Sequence, residues 1–245
     1  MSGIALVLLF MTILIFQNSI LWGNTGDLHA YWAFEKPESS RAQIIYADFL
    51  NTNGNPEAAI ERLQQARALH PNEITILLHI WNMSCANHLE PPFSLEDIAR
   101  QDGLEFKQND VNYHLKALIE TYFSRACEVP PVTSVVQLFN AVAEMPMSPE
   151  RKAGYHFLFS DLYVYLGDLN AALIQLSNAF RLQPLPELPI RQAILSASAG
   201  NYSDSLVFLG RAREANQKQS PLLPSFEEQI STIEADLNRR LASPQ

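Results

Sequence analysis

Six histidines, two cysteines and an i,i+4 pair of glutamates are where chemistry would have to start in this chain. His29, His70, His79, His88, His114 and His156 are scattered, and none makes the His-Glu-x-x-His spacing that sets two imidazoles and a base on one helix face. Cys85 and His88 are three apart and can share a helix face. A zinc site needs three or four ligands, and no others converge on that segment. Glu57 and Glu61 form an i,i+4 acidic pair, which a solvated helix face explains better than a catalytic dyad does. There is no Gly-x-Ser-x-Gly elbow and no Walker or Gly-x-Gly-x-x-Gly phosphate loop. The sequence therefore assigns no catalytic residue, no metal ligand set and no cofactor, and the expectation is a protein that is not an enzyme.

Composition narrows the class further. Of 245 residues, 47 % are apolar and 18 % charged, so the chain has enough apolar surface to fold. A formal net charge of −9 argues against a nucleic-acid binder, which would show a basic face. The only adjacent basic pairs, Arg151-Lys152 and Arg239-Arg240, read as solvated helix ends.

Residues 4–16 are unbroken apolar apart from Thr12, and the run extends through Gln17, Asn18 and Ser19 to Trp22. A helix over residues 4–22 would be roughly 28 Å long at about 1.5 Å per residue, close to the ~30 Å hydrocarbon thickness. Trp22 would be its interfacial anchor. The reading is a single-pass membrane anchor. A cleaved signal peptide fits less well, lacking a basic residue before the apolar run, and a buried core helix is the remaining alternative. Two cysteines, Cys85 and Cys127, are either reduced core thiols or one disulfide between neighbouring helices. The second state persists only outside the cytoplasm.

The informative pattern is internal. Residues 54–71 read GNPEAAIERLQQARALHP and residues 167–184 read GDLNAALIQLSNAFRLQP. Seven positions coincide: Gly54/Gly167, Ala58/Ala171, Ala59/Ala172, Leu63/Leu176, Ala66/Ala179, Leu69/Leu182 and Pro71/Pro184. Upstream of the first copy, Ala42, Ile45, Tyr46, Phe49 and Leu50 fall at helical spacing. Gly54 suits the left-handed residue that ends a helix. Pro56 suits a first turn, and Pro71 ends the second helix. Small Ala47, Ala59 and Ala66 would let two helices approach closely. In the second copy Ser160 replaces Ala47. A weaker third copy runs over residues 190–216, with Ser205 where alanine is expected. Gly54 and Gly167 lie 113 residues apart, three periods of 34 plus 11, so the middle cannot be regular repeats. Strand signals are nearly absent.

The 34-residue stretch 39–72 resembles a tetratricopeptide repeat, a helix–turn–helix unit. The implied fold is all-α: a tetratricopeptide-like α-solenoid of helical hairpins with an N-terminal transmembrane helix. The expected divisions are an anchor over 1–23, a linker or short helix over 24–38 and a repeat over 39–72. Irregular hairpins follow over 73–150, two repeats with the second degenerate over 151–217, and a capping helix with tail over 218–245. In that family the first helix of each repeat lines a concave surface that holds a protein or peptide. Carried over, the resemblance implies a groove at Arg41, Ile44, Asp48, Asn51 and Thr52, then Gly154, Phe157, Asp161, Val164 and Tyr165. Arg41, Asp48, Asn51, Phe157, Asp161 and Tyr165 are its polar and aromatic core.

Residues 4–72 together are also similar to the membrane-to-repeat junction of O-mannosyltransferase-type membrane proteins with tetratricopeptide tails. That likeness implies location, with the repeats on the extracytoplasmic or periplasmic side. It does not imply sugar transfer, since the multiple membrane helices and the acidic loop of that family are missing. The expectation is a membrane-anchored scaffold for a protein or peptide, with an accessory segment of a membrane glycosyltransferase system as the alternative.

Overall fold

Several helices in this chain start where a short polar side chain caps them, and several stop where the backbone turns left-handed. The structure, a computed structural model, describes residues 2–106, 111–125 and 130–242. Two units separate between Leu138 and Phe139. The first carries α1 (Ser2–Gly23), α2 (Thr25–Glu35), α3 (Ser40–Thr52), α4 (Pro56–Leu69), α5 (Ile74–Ala86), α6 (Leu95–Ala99) and α7 (Val111–Ser124), and α8 (Val132–Ala143) runs across the division. The second carries α9 (Pro149–Tyr165), α10 (Leu169–Leu182), α11 (Glu187–Ser198), α12 (Tyr202–Lys218) and α13 (Glu227–Ala242). No strand occurs among the described residues; a single backbone bridge joins Glu73 and Glu105.

One turn is written three times. Gly54, Gly167 and Gly200 follow α3, α9 and α11 with φ of +80°, +77° and +81°. The next residue donates its N–H five positions back: Asn55 to the Leu50 carbonyl at 3.0 Å, Asp168 to Tyr163 at 2.9 Å and Asn201 to Ser196 at 2.9 Å. This closes the orphan carbonyls of a helix end. The side chains of Asn55 and Asp168 then cap the following helix by accepting from Ala58 N at 3.3 Å and Ala171 N at 2.9 Å. A fourth copy ends α5, where His88 takes the left-handed position (φ 58°) 34 residues after Gly54, and Leu89 N donates to Ser84 O at 2.8 Å. The repeat register thus reaches one helix further than the glycine pattern discloses. It stops because Pro91-Pro92 precedes only a five-residue α6, closed by a Ser94–Asp97 capping box.

The small residues sit where helices cross. Ala47, Ala59, Leu63 and Ala66 form one buried cluster with Ile76, Ile80 and Met83 of α5. In the second unit Leu176 and Ala179 pack with Leu188, and Ala193, Leu209 and Ala212 pack with Ile230 and Leu237 of α13. The serines that break the alanine pattern are fully buried and satisfied. Ser160 donates to Phe157 O at 2.6 Å, and Ser205 donates across the hairpin to Ala193 O at 2.6 Å. Every residue from Ile74 to Cys85 in α5 is buried, because α5 packs against α3, α4 and α7. The segment before α3 is pinned too: Gln43 Nε2 and Arg62 Nη2 both donate to Ala33 O, at 2.8 and 2.9 Å, near the end of α2.

The expectation of a transmembrane helix is corrected. Among the described residues no helix is long and apolar enough to cross a membrane. The side chains described in α1 over residues 5–16 are apolar apart from Thr12. Those side chains remain exposed, from Leu6 to Phe16.

Two glycines separate backbone strain from helix propensity. A Cβ at Gly167 or at helical Gly210 would meet nothing within 4 Å. Gly167→Ala should therefore lower the urea-unfolding free energy by about 1 kcal/mol through left-handed strain alone. Gly210→Ala should raise it by about 0.5–1 kcal/mol. Equal effects would disprove the turn assignment.

Candidate functional site

Asp48 and Asp161 occupy matching places in α3 and α9, and each spends its carboxylate on the next first helix of its own unit. Asp48 Oδ1 pairs with His79 Nε2 of α5 at 2.7 Å. Asp161 pairs with Arg191 of α11. Arg191 also lies over the Phe157 ring, 4.9 Å from its centre. Asn51 accepts from Asn87 Nδ2 at 2.9 Å. Three of the six predicted groove residues thus fasten successive hairpins, and Phe157 is half-buried beneath the Arg191 guanidinium. Asp48 retains a 52 % exposed side chain, so its outer edge still faces solvent. Arg41 is exposed, and Tyr165 is 61 % exposed. The remaining positions of that carry-over fall between: Ile44 is buried, Thr52 is exposed and bonds its own helix through Asp48 O at 2.8 Å, and Gly154 and Val164 are intermediate. The predicted residues belong to two units, one patch on α3 and one on α9.

Sequence reasoning missed the partners, His79, Arg191 and Asn87. A usable signal existed: each lies 30 to 36 residues after its acceptor, one repeat on. Behind the first patch the contact continues inward. His79 Nδ1 meets His114 Nδ1 of α7 at 3.3 Å, and Asn82 Nδ2 donates to His114 O at 2.9 Å. Burial, with His79 adding to it, drives the His114 pKa down to about 3, against a small opposing pull from Asp48. Asn82 Oδ1 and Ser84 Oγ are buried without a hydrogen-bond partner among the described residues.

Other expected features resolve as packing. Tyr155 and Phe159 are buried against Phe139, with ring centres 5.9 and 5.0 Å away, and Phe159 stacks on Tyr163 at 4.7 Å. The Tyr155 hydroxyl donates to Phe139 O, and burial pushes its phenol well above the usual range. Among the described residues no group of three or more His, Cys, Asp or Glu side chains is placed to hold a metal. Cys85 is buried. The expected Cys85–Cys127 pairing falls outside the described residues, because Cys127 does. Glu57 and Glu61 are both exposed on α4.

Comparison with known proteins adds little beyond these contacts. No family model and no curated protein matches the chain. Among solved structures it is similar to a thermophilic TPR protein of Thermus thermophilus, at 17 % identity and TM-score 0.39, covering 82 % of this chain and 100 % of that one. It is also similar to the Cut9–Hcn1 hetero-tetramer of APC/C, at 14 % identity and TM-score 0.44, covering 85 % of this chain and 39 % of that one. Likenesses this distant carry no functional argument, which rests instead on the helices and contacts above.

Burial of His114 makes stability depend on pH. Between pH 6.5 and 3 the unfolded chain binds a proton at His114 that the folded chain refuses. Its contribution is therefore complete above pH 6.5 and is lost as pH falls through that window, at up to about 1.4 kcal/mol per pH unit. His156, also lowered by burial, acts with the same sign. Urea unfolding from pH 7.5 to 4.5 should show this slope, and His114→Asn, which keeps a donor but no titration, should flatten it. An unchanged slope in that variant would show that His114 does not titrate this way.

Proposed function

We propose that the chain is a tetratricopeptide-like scaffold whose first helices bind a protein or peptide. The observation that carries this reading is the repeated placement of Asp48 and Asp161 beside exposed neighbours on backbones held rigid by the next hairpin. Each carboxylate is oriented by a neighbouring cation or imidazole, and a side chain ordered before binding loses less entropy on contact. Arg41 on the α3 patch and Tyr165 on the α9 patch supply the exposed charge and the aromatic surface that protein interfaces favour.

The same proposal gives α1 the task of attachment to a lipid phase, with the repeats on the extracytoplasmic side. The support is an exposed apolar surface from Leu6 to Phe16, with Trp22 exposed at the helix end. The side of the membrane rests on the junction resemblance alone.

Two measurements test these parts separately. In affinity capture with the full chain, Arg41→Glu with Tyr165→Ala should reduce partner recovery at least ~10-fold, the scale of an interface hot spot. Lys116→Ala, on exposed α7 surface, should leave it intact. Equal recovery with both variants removes the two patches. For attachment, the full chain should co-float with phosphatidylcholine vesicles, and Leu9→Asp with Ile13→Asp should leave it in the dense fraction. Flotation that survives both charges removes α1 from that role.

A further inference from the structure

The second unit holds a cleft of about 470 Å³ that the repeat reading does not use. Its walls come from the end of α10 (Phe180), the following turn (Leu185), the last turns of α12 (Arg211, Ala215, Lys218) and the loop after α12 (Leu223). The volume lies in the range of small-ligand and side-chain pockets. None of these residues belongs to the α3 or α9 patch.

The loop forming the outer wall is braced. Gln219 Nε2 donates to Asn216 Oδ1 at 3.0 Å and to Pro224 O at 2.8 Å. Asn216 Oδ1 also accepts from Phe226 N at 2.9 Å, and Leu223 N donates to Ser220 O at 3.0 Å. These bonds hold a turn that presents its apolar side chains to solvent: Leu222 is 93 % exposed and Leu223 52 %. A braced apolar wall is formed before any ligand arrives, which lowers the ordering cost of binding.

Charge at the rim selects the ligand. Lys218 is paired with Glu214 at 2.5 Å. Arg211 rests against the Phe208 ring, 5.5 Å from its centre, and among the described residues it pairs with no carboxylate. An apolar floor beneath an available guanidinium fits a carboxylate next to a bulky apolar side chain. We propose that this cleft binds a short acidic–apolar peptide segment of a partner protein, with the apolar side chain against Phe180, Leu185 and Leu223 and its neighbouring carboxylate on Arg211. The site shares no residue with the two first-helix patches and does not depend on them.

The test uses the full chain and two fluorescein-labelled hexapeptides, Gly-Ser-Asp-Leu-Phe-Asp and the same peptide with lysine at both aspartate positions, followed by fluorescence anisotropy. The acidic probe should bind at least ~10-fold more tightly than the basic one. Arg211→Glu should abolish or reverse that preference, and Leu223→Ser should weaken the acidic probe at least ~10-fold. Both side chains are exposed, so helical circular dichroism should be unchanged. Arg41→Glu with Tyr165→Ala should leave acidic-probe binding intact, which separates this site from the first-helix patches. No binding of the acidic probe, or a charge preference that survives Arg211→Glu, overturns the proposal. So does concentration-dependent self-association that Leu223→Ser removes while the parent chain ignores the peptide, because the occupant is then a second copy of this chain.

Discussion

Close approach of helix backbones is the constraint on which the rest of the molecule depends. Ala47, Ala59 and Ala66 in the first unit and Ala172, Ala179, Ala193 and Ala212 in the second are all but completely buried. A larger side chain at these crossings would separate the helices and empty the space that Leu63, Leu176 and Leu209 fill, and packed interiors tolerate such voids poorly. Tolerance at these positions is set by volume more than by polarity. Serine fits at 160 and 205 because each hydroxyl finds a carbonyl within reach.

Close hairpins bring polar groups into contact from one repeat to the next. Asp48 meets His79, Asn51 meets Asn87 and Asp161 meets Arg191, so successive hairpins are joined by hydrogen bonds as well as by apolar contact. In the first unit this joint runs on into the buried His79–His114 contact. Glu73, wholly buried at the start of α5, accepts from Ser40 and Thr75 and sits at the positive end of that helix. Helix α5 is therefore an apolar rod with a polar seam, and the irregular helices that follow must supply partners for that seam.

Some surfaces escape the packing. The apolar side chains of α1 from Leu6 to Phe16 and the pair Leu222–Leu223 are among those that remain exposed. The first surface is a bare helix. The second is a loop held open by its own hydrogen bonds and backed by a cleft. Exposed apolar area of this kind is where a partner or a lipid phase gains most from contact.

The residue pattern alone determined the all-helical class, the left-handed glycines and the crossings at alanine, because turn geometry and helix period are local properties that a few residues dictate. Ala59 and Ala172, chosen from the echo of one eighteen-residue stretch, are fully buried. Tertiary structure decided what the polar residues do. Asp48 and Asp161 read in sequence as open binding groups, yet each is engaged by a side chain about one repeat away, and pairing across that distance leaves no local trace. His88 hid the continuing register because it takes a left-handed turn that glycine would have announced. The cleft beneath Leu223 likewise depends on which side chains meet in space, which spacing along the chain does not record.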